Sequence, residues 1–167
     1  MTGFFDNALF APFFQYAETH YRFPFFPSIL WKPEPVLVAD APSFVVPGRS
    51  LPILILAKDA HRFPVHVTSL RVRMSQGRTV LLEREWSPPA QPIRSRLWWT
   101  VLELPRPGGS GWVDVDVEFH VTLGTRKRVH RNDNHRTVSH RPLRVYLAQD
   151  PLPGHSSFQY GDAHTHS

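Results

Sequence analysis

The clearest pattern in this chain is a two-residue alternation leading up to Gly124. Val113, Val115, Val117, Phe119, Val121 and Leu123 are apolar, and Asp114, Asp116, Glu118, His120 and Thr122 between them are polar. Successive side chains of a strand point to opposite faces, so the alternation predicts a long strand with one face in a core and the other in water. Leu51 to Ala57 is an almost unbroken apolar run, as expected of a strand buried on both faces or at the centre of a sheet. Val36 to Asp40 is a shorter run, and so is Phe44-Val45-Val46, flanked by Pro42 and Pro47-Gly48. Val65 to Met74 changes phase: Val65 and Val67 lie on one, and Leu70, Val72 and Met74 on the other, which predicts a bulge near Thr68-Ser69. Gln76-Gly77 is a turn signal that would join this strand to Thr79–Trp86 as a hairpin. Ile93 to Leu104 and Pro142 to Ala148 predict two more strands. Asp59-Ala60-His61-Arg62, Pro105 to Gly111 and Asn132-Asp133-Asn134 read as turns, and Gly124 ends the long strand ahead of a basic turn that includes Arg126 to Arg131.

About eight short strands separated by Pro/Gly-rich turns predict an all-β fold, an immunoglobulin-like β-sandwich. Four segments follow: an N-terminal arm over 1–35, the sandwich domain over 36–149, a linker over 150–160 that contains Pro151-Leu152-Pro153-Gly154, and a distinct last segment over 161–167. The arm is rich in proline and aromatic residues, from Phe4 and Phe5 to Trp31. Asn7 is placed to cap a short helix from Ala8 to His20, with Pro12 near its first turn, where proline is tolerated. Pro24, Pro27, Pro33 and Pro35 then break regular structure. The arm is too apolar for a solvated linker. It is expected to pack along another surface, either the sandwich or a second domain. The alternative is an aromatic platform for bases or sugars.

Composition narrows this picture. A length of 167 residues suits one domain, and 41% hydrophobic with 20% charged residues is ordinary for a globular protein. The absence of cysteine excludes disulfides and thiolate metal sites. No apolar run reaches the length of a membrane helix, and the N-terminus has no Lys or Arg before Arg22, unlike a secretory signal. The expectation is a cytoplasmic protein with no membrane partner. The net charge of +5 rests mostly on arginine, since Lys32, Lys58 and Lys127 are the lysines. The arginines are scattered, with Arg126-Lys127-Arg128 and Arg131 as the dense cluster, so nucleic acid is not the expected partner.

Two clusters have readings of their own. Asp114, Asp116 and Glu118 form a row on the wet face of the long strand; such a row can bind a cation, but more often faces arginines on neighbouring strands. His130, His135 and His140 recur every fifth position, which suits neither one helix face nor one strand face, and they read as exposed residues around the Asn-Asp-Asn turn rather than a shared metal site.

The chemically specific stretch is Gly161-Asp162-Ala163-His164-Thr165-His166-Ser167. On a strand, Asp162, His164 and His166 project from one side. Two imidazoles and a carboxylate make a partial site for zinc, manganese or iron. The stretch resembles the opening strand of the polymerase and histidinol phosphatase (PHP) family of metal-dependent phosphoesterases, Asp-Leu-His-x-His-Ser/Thr, with Ala163 in place of leucine. The order of parts is similar to bacterial PHP-type metallohydrolases that carry a β-sandwich before the catalytic domain. Val38-Ala39-Asp40-Ala41-Pro42, Arg131-Asn132-Asp133-Asn134 and Leu152-Pro153-Gly154 fit that pattern more loosely. The resemblance implies that His164 and His166 are metal ligands and that Asp162 orients them. It also implies that the remaining ligands lie beyond Ser167, in a missing C-terminal catalytic domain. The chain would then be a fragment, inactive by itself and binding no metal stably, whose sandwich shapes the site entrance or fixes a homo-oligomer. The alternative from the residues alone is a stand-alone binding module for a protein, glycan or nucleic acid.

Overall fold

A computed structural model describes residues 34–88, 91–132 and 142–150. All regular structure among them is β. The nine strands are β1 (Val36–Asp40), β2 (Phe44–Val45), β3 (Leu51–Lys58), β4 (His66–Gln76), β5 (Thr79–Trp86), β6 (Leu97–Leu104), β7 (Gly111–Leu123), β8 (Arg126–Arg131) and β9 (Leu143–Leu147). The helix expected over 8–20, with the arm as far as residue 33, lies outside the described residues. No described helix is long and apolar enough to cross a membrane.

The strands form two sheets. One has three strands in the order β1-β3-β6; the other has six, in the order β2-β9-β7-β4-β5, with β8 pairing β7. All pairs are antiparallel except β2 with β9, which is parallel, Phe44 opposite Tyr146 and Val45 opposite Leu147. Leaving β1, the chain passes through Ala41-Pro42-Ser43 and joins the other sheet as β2, so the N-terminal strands belong to both sheets. One continuous core lies between the sheets. Leu37, Ala39, Leu51, Ile53, Ile55, Leu102 and Leu104 contribute from the three-stranded sheet, and Leu70, Val72, Met74, Val113, Val115, Val117, Phe119 and Val145 from the other.

Local patterns explain most of these elements. β7 is thirteen residues long and buries Val113, Val115, Val117, Phe119 and Val121 on one face, as its alternation requires. The phase change in β4 is a register shift between Val67 and Ser69 against β7. It lets Val67 and Leu70 both face the core, where strict alternation would have put one of them in water. β3 is the central strand of its sheet, between β1 and β6, which accounts for its nearly continuous hydrophobicity. The β4–β5 hairpin turns at Gly77, with φ of +59°, in the left-handed region that costs L-residues about 1–2 kcal/mol. A Cβ on Gly77 would meet nothing within 4 Å. Gly77→Ala is therefore expected to destabilise the domain by about 1 kcal/mol through backbone strain alone, read as a lower urea midpoint with an unchanged m-value.

The segment over Arg126 to Arg131 is a strand and not the basic turn expected from its residues. β7 runs on to Leu123, and Gly124-Thr125 turns the chain back so that Arg126 pairs with Leu123 and Arg131 with Glu118. Lysine is depleted in strands, and Val129 is the one residue of the segment with strong strand propensity. The pairing is supplied by the length of β7, not by the residues of β8. Ile93 to Leu104 is also shortened: β6 begins at Leu97, and Ile93 instead bridges Val65.

Candidate functional site

The candidate site is the seam where β1 meets β8. Among the described residues, the buried polar or charged side chains are Glu34, Asp40 and Asn132; Glu34 and Asn132 make contacts across it, and Asp40 ends β1. Asn132 follows β8 with φ of +44°, a conformation asparagine tolerates better than most residues. Its backbone N–H donates to the Val117 carbonyl at 2.7 Å, and its Oδ1 accepts from the Ala39 N–H at 3.2 Å. One asparagine thus ties the six-stranded sheet to β1 of the other. Two residues before β1, the buried Glu34 carboxylate accepts from Arg128 Nη1 at 3.2 Å. Asp40 ends β1 with no solvent exposure, its Oδ1 accepting from the Ala41 N–H at 2.9 Å. Such burial of charge is tolerated only where the group is hydrogen-bonded or paired. The seam therefore holds the sheets in one register. It also brings together Val38-Ala39-Asp40 and Arg131-Asn132, two stretches far apart in sequence.

The outer face of the six-stranded sheet carries a lattice of alternating charge. Glu118 on β7 lies between Arg71 on β4 and Arg131 on β8, and Asp116 lies opposite Arg73. Arg131 Nε reaches Glu118 Oε1 at 3.0 Å, Arg144 Nε reaches Asp114 Oδ1 at 3.5 Å, and Arg71 Nε reaches Glu83 Oε1 at 3.5 Å. The row Asp114, Asp116, Glu118 thus faces arginines across the strands. Exposed pairs of this kind contribute at most about 1 kcal/mol each. Among the described residues, no three His, Asp or Glu side chains are grouped to hold a metal ion.

At the β2 end of that face the lattice gives way to aromatic rings. Trp112 and Tyr146 meet edge to face, with centroids 5.3 Å apart, and the Arg144 guanidinium lies 5.2 Å from the centre of the Trp112 ring. Phe44 is next in register beyond Tyr146. Trp112 is 52% exposed, unusual for so large a ring. Trp112 and Tyr146 become neighbours only through the β7–β9 pairing, and no local spacing announces it.

Arg106 bridges the β6–β7 loop and the residue that follows β9. Its Nη2 donates to the Ala148 carbonyl at 2.6 Å and to the Gly109 carbonyl at 3.1 Å, fastening the β6–β7 loop to the C-terminal end of the domain.

Asp162, His164 and His166 lie outside the described residues, as do His135 and His140. His130 is half-buried on β8, opposite Phe119. No family model, curated protein or solved structure matches the chain.

Proposed function

We propose that this chain is the accessory N-terminal domain of a PHP-type metal-dependent phosphoesterase, itself non-catalytic. The observation that carries the reading is the heptad Gly161-Asp162-Ala163-His164-Thr165-His166-Ser167 following a β domain. His164 and His166 would contribute to a zinc, manganese or iron centre, and Asp162 would orient them. The donor set suits such a metal but is incomplete. Its remaining ligands would come from a catalytic domain continuing beyond Ser167. There the metal would polarise a phosphoryl oxygen and activate water.

The β domain is read as an immunoglobulin-like sandwich in a cytoplasmic protein. Supporting the fold are the two sheets, the passage of the N-terminal strands from one to the other, and the parallel pairing of β2 with the last strand, β9. The domain boundaries at 35, 149 and 160 belong to the same reading. The seam through Asn132 and the Arg106 clamp support a rigid scaffold that holds a neighbour at its C-terminal end.

The test is to express the whole reading frame that encodes this chain, then measure bound metal by mass spectrometry and hydrolysis of p-nitrophenyl phosphate. Metal and turnover are expected, both lost in His164→Ala and His166→Ala while the melting of the sandwich is unchanged. A frame that closes at Ser167, or metal content indifferent to both substitutions, overturns the reading.

One observation favours a second reading, a stand-alone binding module: the exposed Trp112–Tyr146 pair with Arg144. Aromatic faces of this kind hold sugars, bases or protein side chains. Binding of a glycan, protein or nucleic acid that is lost in Trp112→Ala would establish this alternative, with steep salt dependence marking nucleic acid.

A further inference from the structure

The outer face of the three-stranded sheet should be its solvent side, yet its centre is apolar and buried. Strand alternation sends Leu37, Ala39, Ile53, Ile55 and Leu102 into the sandwich core. It sends Val38, Leu56 and Trp99 the opposite way, and register sets them in one row, Val38 beside Leu56 and Leu56 beside Trp99. With Val36 and Leu54 they form a second apolar cluster, separate from the core. Val38 is 2% exposed and Leu56 5%. Neighbours standing side by side in one sheet do not cover each other's outward ends, so a further layer must lie over this row.

We propose that this layer is the chain's own N-terminal arm, docked by its aromatic residues between Phe4 and Trp31. The inference is independent of the metallohydrolase reading. Three observations select this occupant. The first is reach: Glu34, pinned to Arg128, places the end of the arm beside β1, at the edge of this face. The second is size. Three strands present a face about 10 Å wide between their outer axes, and the eight residues of β3 extend it about 26 Å. The helix expected over 8–20 would be about 20 Å long and about 10 Å across, a match for that area. The third is chemistry. The row is apolar; in the same outward phase the buried Asp40 stands opposite Leu54, Lys58 and Glu103 lie toward the two ends of the face, and the arm supplies aromatic rings with few charges. Burying both surfaces removes from water two apolar patches that neither segment could otherwise hide.

The full chain tests this directly, because the absence of cysteine allows a single reactive thiol to be placed at will. Leu54→Cys carries a benzophenone maleimide on the outer face, and Val101→Cys, opposite Leu54 on β6, serves as a second position should the first perturb folding. Tyr146→Cys, on the other sheet, is the control. After irradiation, peptide mapping is expected to place the cross-links of both outer-face probes within residues 4–31 of the same chain, at monomer mobility on a denaturing gel, and to find none from the control. Dimer-sized products, cross-links confined to residues 151–167, or no capture of the arm from either position overturn the proposal.

Discussion

Phe119→Ala is expected to destabilise the β domain by about 3–5 kcal/mol, a large share of the roughly 5–15 kcal/mol that separates a typical domain from its unfolded chain. Phe119 is the largest side chain of the core with no solvent exposure. It sits in β7, which pairs β4 along one edge and β9 and β8 along the other. Its register partners are Leu70 on β4 and His130 on β8. The surrounding strands are tied into ladders on every side and cannot collapse into the volume the ring vacates, so the cavity term adds to the lost transfer energy. Phe119→Leu keeps most of that volume and is expected to lose about a third as much. Urea unfolding followed by tryptophan fluorescence measures both. A loss below about 1 kcal/mol for the alanine variant would mean that the core relaxes around the gap and that β7 is not its fixed centre.

The second large effect is expected at Asn132. Asn132→Ala removes the acceptor of the Ala39 N–H, which belongs to a fully buried residue of β1. A buried donor left without a partner costs about 1–3 kcal/mol. Alanine must also occupy φ of +44°, where its Cβ crowds the following carbonyl, for about another 1 kcal/mol. The two terms are separable. Asn132→Gly loses the acceptor but not the backbone conformation, and is expected to be about 1 kcal/mol less damaging than alanine. Amide exchange at Ala39 should accelerate in both variants. If it stays at the wild-type rate while stability falls, the loss is one of turn conformation, and the seam does not depend on this hydrogen bond.

Much of the all-β, two-sheet domain was legible in the chain because its signals are local. The alternation in β7, the phase break in β4 and the glycine after Gln76 each determine a conformation from residues a few positions apart. β8 was not legible. Apart from Val129, little in Arg126 to Arg131 favours a strand, and the segment is extended because β7 offers it an unpaired edge. The seam was half legible: Asp40 and Asn132 fell in stretches that the resemblance had marked, but their burial and the Ala39–Asn132 hydrogen bond span ninety-three residues. No periodicity reports a contact of that range.

The sequence alone determined that the domain is β, where most of its strands lie, which face of β7 is wet, and that two histidines and an aspartate stand at strand spacing in the final heptad. These are consequences of side-chain period and turn chemistry. The tertiary structure alone decided which strands are neighbours and therefore which side chains meet. The parallel β2–β9 pair, the Trp112–Tyr146–Arg144 platform and the buried outer row of Val38 and Leu56 exist only because distant segments share an edge or a face. A strand's alternation states that one side must be covered, but it does not say by what.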